Sequence, residues 1–460
     1  MNPLALLVAG CFFMEFLDGT IIAPALPQMA VSLGTNPVDL HVGISAYLLT
    51  VAVMILPGGW AAERFGARTV FTSAIVVFTL ASGLCSLAVS PATFVAARIL
   101  QGVGGAMMVP VGRFVVLRRT EKSGLMRAIA LLTWPGLTAP LIGPPLGGFI
   151  AEHFDWRYIF LINLPLGLIA FVLALRLVPA VAAGAPRRFD WRGFVLAGGA
   201  CLCAELAMDL LGRDDPPYFL AAGLAVVAVA AGLLVIRHLQ RARAPLIDPA
   251  PWTVSTFRAV MTTGTSMRGL ISTLPFLLPL LFQLGFGYDP FHAGALVLAL
   301  FLGNIGIKPA TSFFLRRLGF RNVLAGNAVL QAATMLGFAL VGPATPLPLL
   351  LVLLAVAGAS RSTQFTALAT LAFADVPQER MAPANTWFSV GFQLGNGLGV
   401  AVGALLLRAA AGLRGNGPDL AAFHVAFAAL AVLMLGLAVL ALRLRPEDGA
   451  AVSGHRVATA

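Results

Sequence analysis

The sequence predicts an all-α integral membrane protein, with two six-helix bundles and two inserted transmembrane helices, about 14 spans in total. The first reason is composition: 59% of the 460 residues are hydrophobic and only 11% are charged, against about a quarter charged in soluble domains. The second is a series of apolar runs of about 18 residues or more, each able to cross about 30 Å of hydrocarbon. The third is a charged loop pattern that occurs once in each set of six runs.

Hydropathy groups the spans as six, two and six. The first six lie near residues 4–30, 42–62, 69–88, 92–117, 125–151 and 158–178, the inserted pair near 193–211 and 218–237, and the last six near 257–284, 291–314, 322–342, 347–373, 382–408 and 420–442. We therefore expect four regions along the chain. They are an N-terminal bundle (1–180), a cytoplasmic linker with the two inserted helices (181–250), a C-terminal bundle (251–445) and a cytoplasmic tail (446–460).

Basic residues set the expected orientation. They concentrate in loops on one side of the membrane, including Arg64, Arg68, Arg118, Arg119, Arg316 and Arg317. The positive-inside rule assigns this side to the cytoplasm, so both termini are expected there. A net charge of +11 would suggest a nucleic-acid partner for a soluble protein. Because the charge lies in these loops, we expect a lipid bilayer as the surroundings and no nucleic acid, in a multi-pass membrane protein.

Two carboxylates, Glu15 and Asp18, stand inside the first apolar run. An ionisable group at that depth costs roughly 2.5–3.5 kcal/mol, and such groups usually line a cavity or a proton path. Their spacing of three places both on one face of a helix. At 1.5 Å per residue, Asp18 lies roughly 20 Å above the cytoplasmic end of its span and Arg98 roughly 10 Å below the outer end of its own. The two depths coincide in a core of about 30 Å, so Asp18 and Arg98 are predicted to pair.

This pair has two interpretations. It can open when Asp18 takes up a proton, or it can be a static structural pair. Glu15 lies closer to the midplane and has no evident partner, so burial makes its charged form costly. We therefore expect Glu15, narrowly ahead of Asp18, to exchange a proton, with Arg98 as the third member of this proton-coupling group.

A short loop pattern is repeated in the two sets of six spans. Arg64-Phe65-Gly66-Ala67-Arg68 follows the second span, and Arg317-Leu318-Gly319-Phe320-Arg321 follows the second span of the last six. Both match Arg-x-Gly-x-Arg. Repeated six-span halves joined through a cytoplasmic segment are typical of one class of secondary transporter.

Several longer runs resemble the motifs of one family. The runs are Gly59-Trp60-Ala61-Ala62-Glu63-Arg64-Phe65-Gly66-Ala67-Arg68, Arg98-Ile99-Leu100-Gln101-Gly102-Val103-Gly104-Gly105-Ala106, Gly143-Pro144-Pro145-Leu146-Gly147-Gly148, Leu17-Asp18-Gly19-Thr20-Ile21-Ile22 and Trp156-Arg157-Tyr158-Ile159-Phe160-Leu161-Ile162-Asn163-Leu164-Pro165. Together they make the whole chain resemble the major facilitator superfamily, in its fourteen-span drug:proton antiporter branch. The chain departs from the family pattern at Glu63, usually Asp, at Ala67, usually basic, and at Ala139, usually Gly.

The resemblance implies a monomer without cofactor that exports small molecules in exchange for protons, by alternating access between the two halves. It also implies two groups of gating residues. They are Gly59, Glu63, Arg64, Gly66 and Arg68 in the loop, and Gly143, Pro144, Gly147 and Gly148 in span five, at the interface between the halves. Glu63 would pair with a basic residue or a helix end in one conformation only. Simple topology charges in the loop and a kinked packing helix in span five are the alternatives.

Buried basic residues indicate what the cavity binds. Arg113, Arg268, Lys308 and Arg361 lie inside predicted spans, and Arg113 and Lys308 are close enough to the cytoplasm to snorkel. Polar side chains that could add hydrogen bonds, or simply join helices, are Gln283, Asn304, Gln331, Gln364, Asn385, Gln393 and Asn396. An excess of cations suits an anionic substrate. Export of small organic anions, such as carboxylates or metal–carboxylate chelates, is therefore the alternative to drug efflux.

The inserted span near 193–211 also carries two acids, Glu205 and Asp209, on one face. We expect the inserted pair to pack outside the core, which makes a functional role for Glu205 the less favoured interpretation. The histidines and cysteines show no catalytic or metal-ligand spacing. We therefore expect neither an enzyme nor a metal site. A transport-inactive receptor on the same scaffold and an integral membrane enzyme are the disfavoured alternatives.

Overall fold

The structure is a computed structural model, and it describes residues 3–35, 37–180, 188–212, 216–242, 244–414 and 419–455. Over these ranges the secondary structure consists of helices joined by turns and short loops. The predicted all-α fold is confirmed. The start of the predicted linker, at 181–187, and the end of the predicted tail, at 456–460, lie outside the described residues.

The helices of the N-terminal bundle follow the predicted spans. They are α1 (Pro3–Ile21), α2 (Leu26–Ser32), α3 (Pro37–Met54), α4 (Gly58–Phe65), α5 (Ala67–Ser86), α6 (Pro91–Arg119), α7 (Leu125–His153), α8 (Tyr158–Leu161) and α9 (Asn163–Leu177). Ser90 caps α6. Its hydroxyl accepts a hydrogen bond from the Thr93 amide, and the Thr93 hydroxyl accepts one from the Ser90 amide. This reciprocal box fixes where α6 starts.

The inserted pair consists of α10 (Trp191–Gly212) and α11 (Tyr218–Arg241). α10 packs against α3 of the N-terminal bundle and, further along the chain, against the long helix Met381–Arg414 of the C-terminal bundle. Gly198 allows α10 to approach α3, because a Cβ at this position would lie only 3.2 Å from the side chain of Val53. α11 is exposed along nearly all of its described length. The expectation that both inserted helices lie outside the core is therefore wrong for α10.

The C-terminal bundle has more interruptions. Its helices are α12 (Ser255–Ala259), α13 (Thr265–Ser272), α14 (Leu274–Leu280), α15 (Pro290–Gly306), α16 (Lys308–Phe338), α17 (Leu347–Ala374), α18 (Met381–Arg414), α19 (Leu420–Ala441) and the short α20 (Ala450–Ser453). Two π-helical turns, Val260–Gly264 and Leu281–Gly285, continue α12 and α14 within one span. Such turns often mark functional positions, because they change which side chains face inward.

The repeated loop pattern has the same backbone in both halves. Gly66 has φ 85° and ψ 136°, and Gly319 has φ 74° and ψ 167°. Positive φ of this kind favours glycine over residues with a Cβ. The glycine of Arg-x-Gly-x-Arg therefore makes the sharp turn at this loop in each half.

The number of spans is smaller when it is counted from helix length and hydropathy. Among the described residues, ten helices are long and apolar enough to cross a membrane, or twelve if each of two bent pairs is one span. One bent pair joins His292–Gly306 to Lys308–Phe338 at 52°, and the turn at Gly319 divides Lys308–Phe338 itself into two helices, close to the boundary between the two spans that were predicted there. The total of about fourteen stays a prediction.

The two bundles meet through apolar side chains. The large core of the C-terminal bundle, which includes Phe257 and Leu371, extends to Phe114, Leu125 and Ile129 of the N-terminal bundle. α20 adds a further contact, since it packs against both α16 and the turn Lys122–Gly124. The described halves are therefore in contact at the end of the molecule where α6 finishes and α7 begins.

Candidate functional site

The carboxylate of Asp18 is the centre of a buried polar network. Arg98 donates to Asp18 Oδ2 at 2.6 Å, Gln101 Nε2 to Oδ1 at 2.8 Å, and Asn163 Nδ2 to Oδ1 at 2.9 Å. Arg98 also donates to Gln101 Oε1, and its guanidinium carbon lies 4.2 Å from the centre of the Tyr47 ring. Both Asp18 and Arg98 are almost fully buried. The pairing predicted from depth is therefore present, and it satisfies both carboxylate oxygens.

Close packing brings these helices together. A Cβ on Gly104 of α6 would lie 2.6 Å from the backbone nitrogen of Phe78 on α5. The absence of a side chain at Gly104 therefore lets α5 approach α6 and place Ser82 next to Gln101, which donates to Ser82 Oγ at 2.8 Å. Gln101 and Asn163 were missed as partners of Asp18, and so was Ser82, whose hydroxyl accepts from both of them. Gln101 and Asn163 both lie in runs that resemble family motifs, and this resemblance was the feature of the sequence that could have identified them as partners.

Glu15 has a different environment from Asp18, although both are on α1. Its Oε2 is buried and has no hydrogen-bond partner among the described residues. Its carboxyl carbon lies over Gly105, where a Cβ would be 3.5 Å from it and 3.0 Å from the Tyr47 hydroxyl. The charge that attracts it most is that of Arg113 on α6. Glu15 is therefore the less satisfied of the two acids, as expected from the sequence.

A cavity of about 270 Å³ lies between the two halves. Its lining comes from helices of both bundles: Phe12, Phe16, Arg113, Ile129, Leu132, Thr133, Arg268, Ser272, Pro275, Arg361, Phe365, Ala369, Phe373, Phe388, Phe392, Asn396 and Val400. Three of these residues are arginines and six are phenylalanines, and none of the described lining residues is a carboxylate. The cavity is thus apolar in surface and positive in charge, which suits an amphipathic ligand.

The three cavity arginines rest on aromatic rings. The guanidinium carbon of Arg268 lies 3.3 Å from the ring centre of Phe392 and 4.2 Å from that of Phe365, and Arg361 lies 5.2 Å from Phe365. Arg113 lies 5.2 Å from the ring centre of Phe388. Ring faces attract cations but leave N–H groups free. Arg268 Nε and Arg361 Nε and Nη1 are buried without a hydrogen-bond partner among the described residues.

Most other residues predicted for the cavity lie at helix contacts instead. Lys308 Nζ donates to Thr133 and Thr366 at 2.8 Å each, and Asn385 donates to the Pro110 carbonyl at 2.8 Å. The remaining predicted residues outside the described cavity lining are Gln283, Asn304, Gln331, Gln364 and Gln393. Of these, Gln364 accepts from Asn327 Nδ2 at 2.7 Å, as the alternative of helix-to-helix hydrogen bonding requires. The side-chain amides of Asn304 and Gln331 are instead buried without a hydrogen-bond partner among the described residues.

Two of these contacts cross between the halves. Lys308 and Thr133 join α16 to α7, and Asn385 and Pro110 join α18 to α6. Gly59 adds a third contact, because a Cβ there would lie 2.7 Å from Thr386 Oγ1 on α18. All three hold the halves together in this conformation and must break for the halves to separate there.

The other loop residues lie near this junction. Glu63 and Gly66 line a cleft with Arg118, Arg119 and Glu379, so charges of both halves face one another there. Arg64 is exposed. Arg68 donates to the Leu175 carbonyl at 2.5 Å, within its own bundle.

Comparison with known proteins decides the family. The family model described as Major Facilitator Superfamily matches residues 8–390. The chain belongs to the major facilitator superfamily. It is therefore a multi-pass membrane transporter and not an enzyme.

Relatives and solved structures agree with this assignment. The chain is 40% identical over 407 residues to MdtD of Klebsiella pneumoniae subsp. pneumoniae, covering 87% of this chain and 85% of that protein. It is 39% identical over 405 residues to MdtD of Escherichia coli O6:H1, with the same coverage of 87% and 85%. Both relatives are named as candidate multidrug resistance proteins.

Two solved superfamily structures share the fold. The human organic anion transporter MFSD10 matches with a TM-score of 0.67 at 16% identity, covering 95% of this chain and 99% of that one. The proton:xylose symporter XylE matches with a TM-score of 0.65 at 15% identity, covering 97% and 96%. At these identities the likeness shows the superfamily fold alone.

The span-five glycines have a different position from the one that the family resemblance implied. A Cβ on Gly143 would collide with Thr20, and one on Gly147 would collide with the Ile21 carbonyl. Both glycines therefore pack α7 against α1 of the same bundle, not at the interface between the halves. Pro144, one residue beyond Gly143, is exposed. The implied location is wrong because a glycine-rich face predicts close packing without naming the neighbouring helix.

Proposed function

We propose that this transporter exports small amphipathic molecules across the bacterial inner membrane in exchange for protons. One observation carries the proposal: Glu15, whose Oε2 has no hydrogen-bond partner among the described residues, lies on α1 next to Phe16, which lines the cavity between the halves together with Arg113. A proton on Glu15 therefore changes the charge beside the place where a ligand would bind. The names of the relatives, which describe multidrug resistance, support small-molecule efflux.

Glu15 is the proposed proton carrier because its charged form is poorly compensated. A buried carboxylate without hydrogen bonds to both oxygens is costly, and Oε2 of Glu15 has no such bond among the described residues. Asp18 has both oxygens bonded, which favours the static interpretation of its pair with Arg98. We assign Asp18 and Arg98 to holding α1 against α6 and Glu15 to proton exchange.

Alternating access would follow from the contacts that join the halves. In this conformation Asn385 bonds to Pro110, Lys308 bonds to Thr133, and Gly59 touches Thr386. Basic loops on the same side of the molecule suggest that this is the cytoplasmic side, with both termini there. The loop residues Gly59, Glu63 and Gly66 would then act as a cytoplasmic gate. We expect the transporter to work as a monomer.

A specific observation favours a second candidate, export of small organic anions. The cavity holds Arg113, Arg268 and Arg361 and no carboxylate among its described lining residues. Unpartnered guanidinium N–H groups are suited to carboxylates, which accept two bonds from one arginine. A lipophilic cation would meet three like charges there.

The pH dependence of binding separates the two candidates. A cation competes with the proton at Glu15, so its affinity should rise with pH. An anion in the cavity should instead bind more tightly when Glu15 is protonated, because the proton removes a negative charge next to the cavity. Binding free energies at the two sites are linked reciprocally. The sign of the pH effect therefore reports the charge of the preferred substrate.

The decisive experiment is transport by the purified protein in proteoliposomes under an imposed pH gradient. Fluorescent anionic and cationic probes of similar size are compared before and after the gradient is collapsed, for the wild type, Glu15→Gln and Glu152→Gln. Glu152 is an exposed acid at the end of α7 and serves as the matched control. We expect gradient-driven transport in the wild type and in Glu152→Gln only. Transport that continues after collapse of the gradient would contradict proton coupling.

A further inference from the structure

An acid that this mechanism does not use lies on the inserted helix α10. Glu205 is 8% exposed, and its Oε1 has no hydrogen-bond partner among the described residues. Gln393 of α18 lies beside it. Its Oε2 lies over Gly397 of α18, where a Cβ would be 3.0 Å away. The carboxyl group is thus enclosed between the inserted pair and the C-terminal bundle.

The groups around Glu205 do not compensate a negative charge. On α10, the nearest titratable groups are Cys201 and Asp209, and Asp209 accepts from Ser45 of α3 at 3.2 Å. On α18, Arg408 donates to the Leu211 carbonyl at 2.6 Å. On α11, His238 pairs with Asp190 outside the span. No described cation forms an ion pair with Glu205, so the neutral acid is the less costly form in this conformation.

α18 connects Glu205 with the substrate cavity. Its residue Asn396, directly before Gly397, lines the cavity. One position earlier, a Cβ on Gly395 would lie 3.4 Å from Cδ of Arg268. The same two turns of α18 therefore touch a cavity arginine on one face and Glu205 on another. A shift of α18 that follows ligand binding at Arg268 would also shift the surroundings of Glu205.

We propose that Glu205 is a second proton-binding site of this transporter, through which the inserted helix pair takes part in coupling. In the conformation described, the carboxyl group holds its proton between α10 and α18. When α18 moves, Gln393 and Gly397 no longer enclose it and water reaches it. The O–H bond then breaks, the proton passes to water, and a carboxylate remains. The proposal rests on proton coupling in the proposed function, but proton binding at Glu205 is measurable without transport.

Infrared spectroscopy of the purified full-length chain tests proton binding directly. A buried protonated carboxyl group gives a C=O band that disappears on titration, and the band is recorded against pH for the wild type, Glu205→Gln and Asp209→Asn. Asp209 is the matched control, because it lies one turn away on α10 and already has Ser45 as a partner. We expect Glu205→Gln to remove one band and Asp209→Asn to retain it. A spectrum unchanged by Glu205→Gln would overturn the proposal.

Two further variants keep the test decisive if Glu205→Gln does not fold. In Glu15→Gln a buried carboxyl band should remain, and its absence would overturn the proposal. Gly397→Ala introduces a methyl group 3.0 Å from Oε2 and should shift the pH at which this band titrates. A band that does not respond to Gly397→Ala belongs to another acid and contradicts the assignment to Glu205.

Proton counting in proteoliposomes tests the role in coupling. Protons moved per substrate are measured for the wild type and Glu205→Gln, in preparations that already show gradient-driven transport. We expect about one proton fewer per substrate in the variant. An unchanged ratio, in a variant whose infrared band is lost, would limit Glu205 to proton binding and overturn its role in coupling. Loss of gradient-driven transport in the wild type would instead contradict the proposed function and leave the infrared result standing.

Discussion

The two bundles place arginine in the membrane interior in different ways. In the N-terminal bundle, Arg98 donates to Asp18 at 2.6 Å, and the amides of Gln101 and Asn163 occupy the remaining carboxylate oxygen. In the C-terminal bundle, Arg268 and Arg361 lie against phenylalanine rings and form no ion pair among the described residues. The difference lies in the charge: Arg98 has a carboxylate partner within its own bundle, whereas Arg268 and Arg361 have none among the described residues and are left with their charge open to a ligand.

Breaking the internal pair should have the largest effect on stability. Asp18→Asn keeps the size of the side chain but leaves Arg98 as an uncompensated buried cation. Removal of one partner of a buried pair costs about 3–5 kcal/mol. We therefore expect a large fall in the midpoint of thermal unfolding in detergent, together with low yield.

The matched control is the exposed pair of Asp155 and Arg157, whose charged atoms lie 3.3 Å apart. Surface pairs contribute about 0–1 kcal/mol, so Asp155→Asn should change the midpoint little. Equal small shifts in both variants would contradict a structural role for the Asp18–Arg98 pair.

Removal of a cavity arginine should have the opposite effect: stability is kept and ligand binding is weakened. Arg268→Met deletes a buried cation that has no ion-pair partner among the described residues, so the unfolding midpoint should stay the same or rise. Binding of an anionic probe should weaken by about 1.5–3 kcal/mol, the range for a hydrogen bond to a charged group. Equilibrium binding of the probe and thermal unfolding are measured on the same preparation. A fall in stability as large as that of Asp18→Asn would remove the distinction between the bundles.

The smallest effect is expected at the N-terminal start of the inserted pair. Asp190 accepts from the Gly193 amide at 2.9 Å, from His238 at 2.8 Å and from the Leu246 amide at 3.0 Å. Asp190→Ala removes this cap, which should cost about 1 kcal/mol without changing probe binding at the cavity. Thermal unfolding and probe binding measure the two quantities. Weakened probe binding would mean that the cavity depends on the inserted pair as well as on the two bundles.

The pH range over which Asp190 stabilises the protein follows from the direction in which its pKa is shifted. Burial raises the pKa of Asp190, but the hydrogen bonds from Gly193, His238 and Leu246 outweigh burial and lower the pKa below its ordinary value of 3.8. A lowered pKa means that the stabilisation is complete above the ordinary value and is lost as the pH falls through the lowered one. The difference in unfolding midpoint between the wild type and Asp190→Ala should therefore be constant at neutral pH and disappear only below about pH 4.

Much of the fold followed from the sequence, because hydropathy and loop charge act locally. The repeated Arg-x-Gly-x-Arg pattern marked the turns at Gly66 and Gly319, which share a positive φ. The pairing of Asp18 with Arg98 also followed, since depth depends only on position along a helix.

The cavity was predicted less well. Arg113, Arg268 and Arg361 line it, but Lys308, Gln364 and Asn385 form helix contacts instead. All six lie in apolar helices, so depth alone could not separate them. The packing of α10 against both bundles, and with it the burial of Glu205, was also missed.

The sequence by itself determined the membrane class and the pairing of Asp18 with Arg98, because these depend on composition and on the rise per residue. The tertiary structure alone decided which other side chains meet. A helix can turn about its axis without changing its depth, so only the packing of all the helices against one another selects the face that each side chain occupies. That selection gives both carboxylate oxygens of Asp18 their partners and leaves Glu15 Oε2 without a hydrogen bond among the described residues.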